Sequence, residues 1–134
     1  MPLTVAADAA DRTAPLPLRV VVADNDPDAL DLVTIDLGLE GHDVVGAATG
    51  GERAIELCRT LQPDVLVVDL RMPPGPDGLA VALSLKDQPH LRVVLYTNYR
   101  DAAVARAAEQ VGATYLLKGD LRSLRRVVRP GTGA

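Results

Sequence analysis

Apolar and polar positions along this chain alternate between two periods. Five short runs, at 18–23, 43–48, 65–69, 92–97 and 114–117, are dense in Val, Leu and Ala and read as strands. Between and after them, at 27–39, 51–61, 78–86, 101–111 and 121–128, apolar residues recur at helical spacing. Local signals agree. Asp26-Pro27 is an N-cap followed by proline at the first helical position, and Gly41 and Gly112 stand where helices should stop. Five strand–helix units with right-handed crossovers imply an α/β fold, a parallel sheet covered by helices on both faces. The alternation predicts one domain over 17–129. Residues 1–16, dominated by Ala, Asp, Thr and Pro without sustained periodicity, predict a disordered N-terminal tail, and 130–134 a flexible C-terminus.

Composition narrows the setting. At 134 residues the chain can bury a real core, but it has no Phe or Trp, so that core must be Val, Leu, Ile and Ala. A formal charge of −4 gives no electrostatic reason to bind nucleic acid or anionic lipid. No run approaches the length of a membrane span, and the N-terminus lacks the basic start and apolar stretch of a signal peptide. The single Cys58 excludes an intrachain disulfide and shares a helical face with Ala54, Leu57 and Leu61, the position of an inert core thiol. A reducing, cytoplasmic location is expected.

Chemistry collects at the strand ends. The first apolar run closes on Asp24-Asn25-Asp26-Pro27, the third on Asp69, the fourth on Thr97 and the fifth on Lys118. Open parallel sheets keep their functional sites at the carboxyl ends of their strands. Asp24, Asp26 and Asp69 would crowd negative charge into one crevice, raising one another's pKa unless a cation joins them. A hard divalent ion such as magnesium suits a site of few carboxylates, water and phosphate oxygens. Asp69 could then act as a nucleophile toward phosphorus, with Lys118 balancing phosphoryl charge and Thr97 hydrogen-bonding to it. One acidic residue after a strand is ordinarily a cap or a solvated loop charge. Four such residues at four strand ends are a constellation.

At these residues the chain resembles the response-regulator receiver domains of two-component signalling. The matching pieces are Asp24-Asn25-Asp26-Pro27, Asp69 with Met72-Pro73 and Asp77-Gly78, Thr97, and Gly112-Ala113-Thr114-Tyr115-Leu116-Leu117-Lys118. The resemblance implies a flavodoxin-like, doubly wound sheet of five parallel strands in the order 2-1-3-4-5 with five helices. It implies that Asp69 accepts a phosphoryl group from a histidine on a sensor kinase or histidine phosphotransfer protein. Mg2+ would be held by Asp24, Asn25, Asp69 and the carbonyl of Arg71. Thr97 and Tyr115 would form the switch pair, and Lys118 the phosphoryl clamp. Such a domain signals to a downstream protein target, and its only chemistry is its own phosphoryl transfer and hydrolysis. By the same resemblance, Arg71 and Tyr99 flank the approach of hydrolytic water. Neither is an acid or amide that could orient it, so a long-lived phosphoryl group is expected.

Four positions depart from the family pattern. Asn25 stands where a carboxylate is usual, predicting weaker magnesium binding. Three residues, Pro74-Gly75-Pro76, separate Met72-Pro73 from Asp77-Gly78 where two are usual; Asn98 replaces a very small residue, and Gly119 a common proline. The primary expectation is a single-domain response regulator phosphorylated on Asp69. The alternative, favoured by Asn25 and Asn98, is a receiver-like interaction module that works without phosphate. A flavin carrier fits poorly because Asp24-Asn25-Asp26 would repel the flavin phosphate, and a hydrolytic phosphatase would want an acid at the position of Arg71.

Two helices carry surface signals. In the first, Leu30, Val33 and Leu37 should cover the sheet, while Leu32, Ile35 and Leu39 point nearly opposite and predict a partner-binding face. In the last, Leu121, Leu124 and Val128 form the inner stripe, with Arg122, Arg125, Arg126 and Arg129 outside. These arginines read as a solvated face, the alternative being a homodimer pairing them with Asp101 and Glu109.

Overall fold

Hydrogen-bonded neighbours in the sheet follow the order β2-β1-β3-β4-β5, and every pairing is parallel. These elements come from a computed structural model that describes residues 17–129. The strands are β1 (Arg19–Ala23), β2 (Asp43–Ala48), β3 (Val65–Val68), β4 (Arg92–Thr97) and β5 (Ala113–Leu117). The helices are α1 (Pro27–Leu39), α2 (Gly51–Leu61), α3 (Gly78–Ser84), α4 (Ala102–Gln110) and α5 (Leu121–Val128). The flavodoxin-like order expected from the resemblance is therefore the observed one. The tail and C-terminus expected at 1–16 and 130–134 lie outside the described residues.

Strand alternation sorts the core into two layers. Val20, Val22, Val65, Val67, Val94 and Tyr96 face α1 and α5, where Leu30, Val33, Leu37, Leu124 and Val128 meet them. Val21, Ala23, Leu66, Val68, Val93 and Leu95 face the other way, onto Ala54, Leu57, Cys58, Val81, Ala82 and Ala108 of α2, α3 and α4. Both faces of the central strands are buried, which is why those strands read as continuous apolar runs. Cys58 is fully buried, and burial pushes its thiol up to about 12, so it is the inert core group expected.

Element ends differ from the sequence expectation where a cap or a close contact intervenes. Asp101 caps α4, accepting from the amides of Ala103 and Val104, so the helix starts at Ala102. The strand expected to include Asp69 ends at Val68, and the helix expected to reach Lys86 ends at Ser84, with Leu85 at its cap. β1 starts at Arg19 and β5 at Ala113, one residue from the expected bounds. Gly78 donates its amide to the Leu70 carbonyl at 2.8 Å, and a Cβ there would collide with the Asp69 carbonyl oxygen. No other residue fits so close under the end of β3.

The outer faces of α1 and α5 turn out differently from each other. Leu32, Ile35 and Leu39 are 54%, 60% and 81% exposed, so the second apolar stripe is real and uncovered by this chain's described residues. On α5, Arg122 and Arg126 are exposed as expected. Arg125 is partly exposed but paired. Its Nε lies 3.1 Å from both carboxylate oxygens of Asp36, a buried residue of α1, and a second guanidinium nitrogen reaches Asp36 Oδ1 at 2.5 Å. This fork ties α1 to α5 through a carboxylate that would otherwise be buried without a partner.

Candidate functional site

The loops leaving β1 and β3 bring two carboxylates together because the sheet ladder runs one residue past each strand. The Asp24 amide donates to the Ala48 carbonyl, and the Asp69 amide to the Ala23 carbonyl, both at 3.0 Å. Lys118 arrives just beyond β5, its amide held by the Thr97 carbonyl at 2.8 Å. Its Nζ lies 2.6 Å from Asp24 Oδ2 and 2.9 Å from Asp69 Oδ2. One ammonium thus bridges two carboxylates in a crevice where all three side chains are largely shielded from water.

Charge in this crevice is unbalanced. Burial raises the Asp24 carboxyl above its ordinary range; hydrogen bonds from Lys118 and the Asp26 amide oppose the rise, and the Asp69 charge adds to it. Burial would lower the Lys118 ammonium, but hydrogen bonds to Asp24 and Asp69 hold it above the ordinary lysine value. Asp26 does not join them: its Oδ1 accepts the Asp28 amide at 3.0 Å as the cap of α1, correcting the expectation of three converging acids.

A second group of contacts lies beside the acids. Thr97 is buried at the end of β4, and its Oγ1 accepts the Tyr99 amide at 3.2 Å. The Tyr115 hydroxyl donates to the Tyr99 carbonyl at 2.6 Å. Arg71, two residues past Asp69, stacks its guanidinium 4.4 Å from the Tyr99 ring centroid and donates to the Tyr99 hydroxyl at 2.7 Å. The sequence singled out these residues as two pairs, Thr97 with Tyr115 and Arg71 with Tyr99; that Tyr99 binds the other three was not foreseen.

Comparison with known proteins supplies the frame for this geometry. The family model for the response regulator receiver domain matches residues 20–129. The chain belongs to that family. Receiver domains are the phosphoacceptor signalling domains of two-component systems, and they generally bind Mg2+ at the phosphorylation site. Among similar proteins, the transcriptional regulatory protein NarL of Mycobacterium tuberculosis is 38% identical over 112 residues, covering 81% of this chain and 51% of that protein. The protein-glutamate methylesterase/protein-glutamine glutaminase 3 of Myxococcus xanthus is 36% identical over 97 residues, covering 72% of this chain and 25% of its own length. A solved structure, the signal receiver domain of NarL from Mycobacterium tuberculosis, aligns with a TM-score of 0.77 and 35% identity over 85% of this chain and 95% of that one. The chain spans about half the length of the NarL regulator it matches.

In this receiver domain the acids suit a hard cation. Two carboxylates share one ammonium, which leaves net negative charge in a part-buried crevice. Among the described residues no third His, Cys, Asp or Glu completes a cluster. Further oxygens would have to come from an amide, a backbone carbonyl or water, in keeping with the waters magnesium retains. Asn25 and Arg71 follow Asp24 and Asp69 in the same loops, and both are exposed. No helix among the described residues is long and apolar enough to cross a membrane.

Proposed function

We propose that this receiver domain takes a phosphoryl group from a phosphohistidine onto the Asp69 carboxylate and signals through contacts with other proteins. The observation that carries the reading is the pair Asp24 and Asp69 bridged by Lys118 at the carboxyl edge of the sheet. Asp69 is the acceptor because its carboxylate is less enclosed than that of Asp24 and because it follows β3, the strand paired with β4, which Thr97 closes. In the transfer, the donor's nitrogen–phosphorus bond breaks as an Asp69 oxygen–phosphorus bond forms, and the imidazole leaves with the nitrogen's electron pair. Magnesium, when bound, offsets negative charge on the transferring group. Asp24, Asn25, Asp69 and the Arg71 carbonyl are the residues to hold it.

Lys118 supplies a positive charge already within 2.9 Å of the accepting carboxylate, so it can follow charge onto the phosphoryl oxygens without a large move. Thr97 offers its hydroxyl at the same edge, and Tyr115 responds to its position. A ligand shifts this pair only by its different contacts in the two arrangements. The donor is a sensor histidine kinase or a histidine phosphotransfer protein. Its docking face on this domain is the stripe of Leu32, Ile35 and Leu39: Leu32 also lines a small apolar recess with Ala29, Val33, Tyr96, Leu121 and Lys118, the residue whose ammonium contacts Asp69.

A second reading has one observation in its favour. Asn25 removes a negative charge from the metal loop, as a module that works without phosphate would tolerate. Phosphoramidate, whose phosphorus–nitrogen bond mimics the donor's, separates the two. With magnesium it should add one base-labile phosphoryl group to the protein; an unmodified protein would favour the second reading.

A further inference from the structure

Tyr99 is the meeting point of two pieces of machinery that are otherwise separate. Its backbone serves the switch pair: the amide donates to Thr97 Oγ1 at 3.2 Å, and the carbonyl accepts from the Tyr115 hydroxyl at 2.6 Å. Its side chain serves the acceptor loop, with the Arg71 guanidinium stacked on the ring and bonded to the hydroxyl at 2.7 Å. β3 and β4 are adjacent strands, so this bridge crosses between their exit loops two residues beyond Asp69 and Thr97. Arg71 is exposed and bound here to a neutral phenol, a weak partner for a guanidinium.

We propose that Arg71 is a charge sensor and Tyr99 the positioning residue through which it acts. This rests on Asp69 being the acceptor. A phosphoryl group on Asp69 replaces one carboxylate charge with about two, spread over three acceptor oxygens, within reach of an arginine two residues away. A planar guanidinium pairs with such a group as a fork, a far stronger partner than a phenol hydroxyl. Arg71 therefore leaves the Tyr99 hydroxyl for the phosphoryl oxygens. Tyr99, no longer pinned by its side chain, shifts, and both backbone groups that hold Thr97 and Tyr115 shift with it. The contact at rest opposes the change, so the Arg71–Tyr99 bond sets the threshold of the switch.

The arrangement makes opposite demands on two variants. The full chain, carrying labelled tyrosine rings, is titrated with beryllium trifluoride and magnesium as the phosphoryl probe. Only three tyrosines are present, so Tyr96, Tyr99 and Tyr115 can each be assigned in the NMR spectrum. Arg71→Ala should bind the probe about 10-fold more weakly, the scale of a lost charge-assisted pair, and should blunt the Tyr115 response at saturation. Arg71→Lys, which keeps the charge without the fork, should recover part of the affinity. Tyr99→Phe deletes only the resting hydrogen bond and should tighten binding about 3-fold. If Arg71→Ala keeps the parent affinity and the full Tyr115 response, or Tyr99→Phe weakens binding, the relay is wrong. Failure of the parent to bind the probe at all would instead overturn Asp69 as acceptor, and the relay with it. Both side chains are exposed, so the fold tolerates these changes.

Discussion

If Asn25 joins the proposed metal site, that single side chain sets how strongly the acid crevice attracts the ion. An amide dipole contributes less than a carboxylate charge, and at an effective dielectric of about 20 the difference is worth roughly 1–2 kcal/mol. Asn25→Asp should tighten magnesium binding by that amount in a calorimetric titration; equal or weaker binding would contradict the assignment. Asp24 makes a second prediction through its raised carboxyl. Because the folded state binds this proton more tightly than the unfolded chain, Asp24 favours folding below the ordinary aspartate pKa. That contribution is lost as pH rises through the raised value. At neutral pH the charge is thus a burden on the fold. Asp24→Asn should raise Tm at pH 7, and the gain should vanish in acid, where the parent residue is itself neutral. Thermal unfolding of both proteins across that range checks the sign, and magnesium binding by the parent should weaken as Asp24 takes up its proton.

At the scale of elements, the site depends on how closely α3 is drawn under the end of β3. A Cβ at position 78 would meet the Leu95 side chain and the Asp69 carbonyl, and the carbonyl cannot yield without moving Asp69. Gly78→Ala should cost about 2–3 kcal/mol by denaturant unfolding, in the range of overpacking, and should also impair phosphorylation. Most of the elements were legible in the sequence because caps and periodicity coincide. Asp26-Pro27 opens α1, and its alternating faces separate Leu30, Val33 and Leu37 from Leu32, Ile35 and Leu39 as the structure does. Less legible was whatever depends on two distant segments meeting. Arg125 reads as one of four surface arginines until α1 is placed beside it with Asp36 buried. Arg71 and Tyr99 lie 28 positions apart, and spacing gives no sign that one stacks on the other. Asp26 carried two expectations, an N-cap and one of three converging acids, and the cap is the one the structure uses.

Across residues 17–129, one parallel sheet brings the proposed reacting groups from different strands to one edge. Asp24, Asp69, Thr97 and Lys118 come from four strand ends, and the ladder hydrogen bonds that flank them fix their separation before any ligand arrives. That preorganisation is the central claim, and it is most directly tested by the mass of the intact protein after incubation with acetyl phosphate, with and without magnesium. The account predicts one added phosphoryl group that requires magnesium and disappears in Asp69→Ala. No added mass in the parent, or an addition that persists in Asp69→Ala, would contradict it.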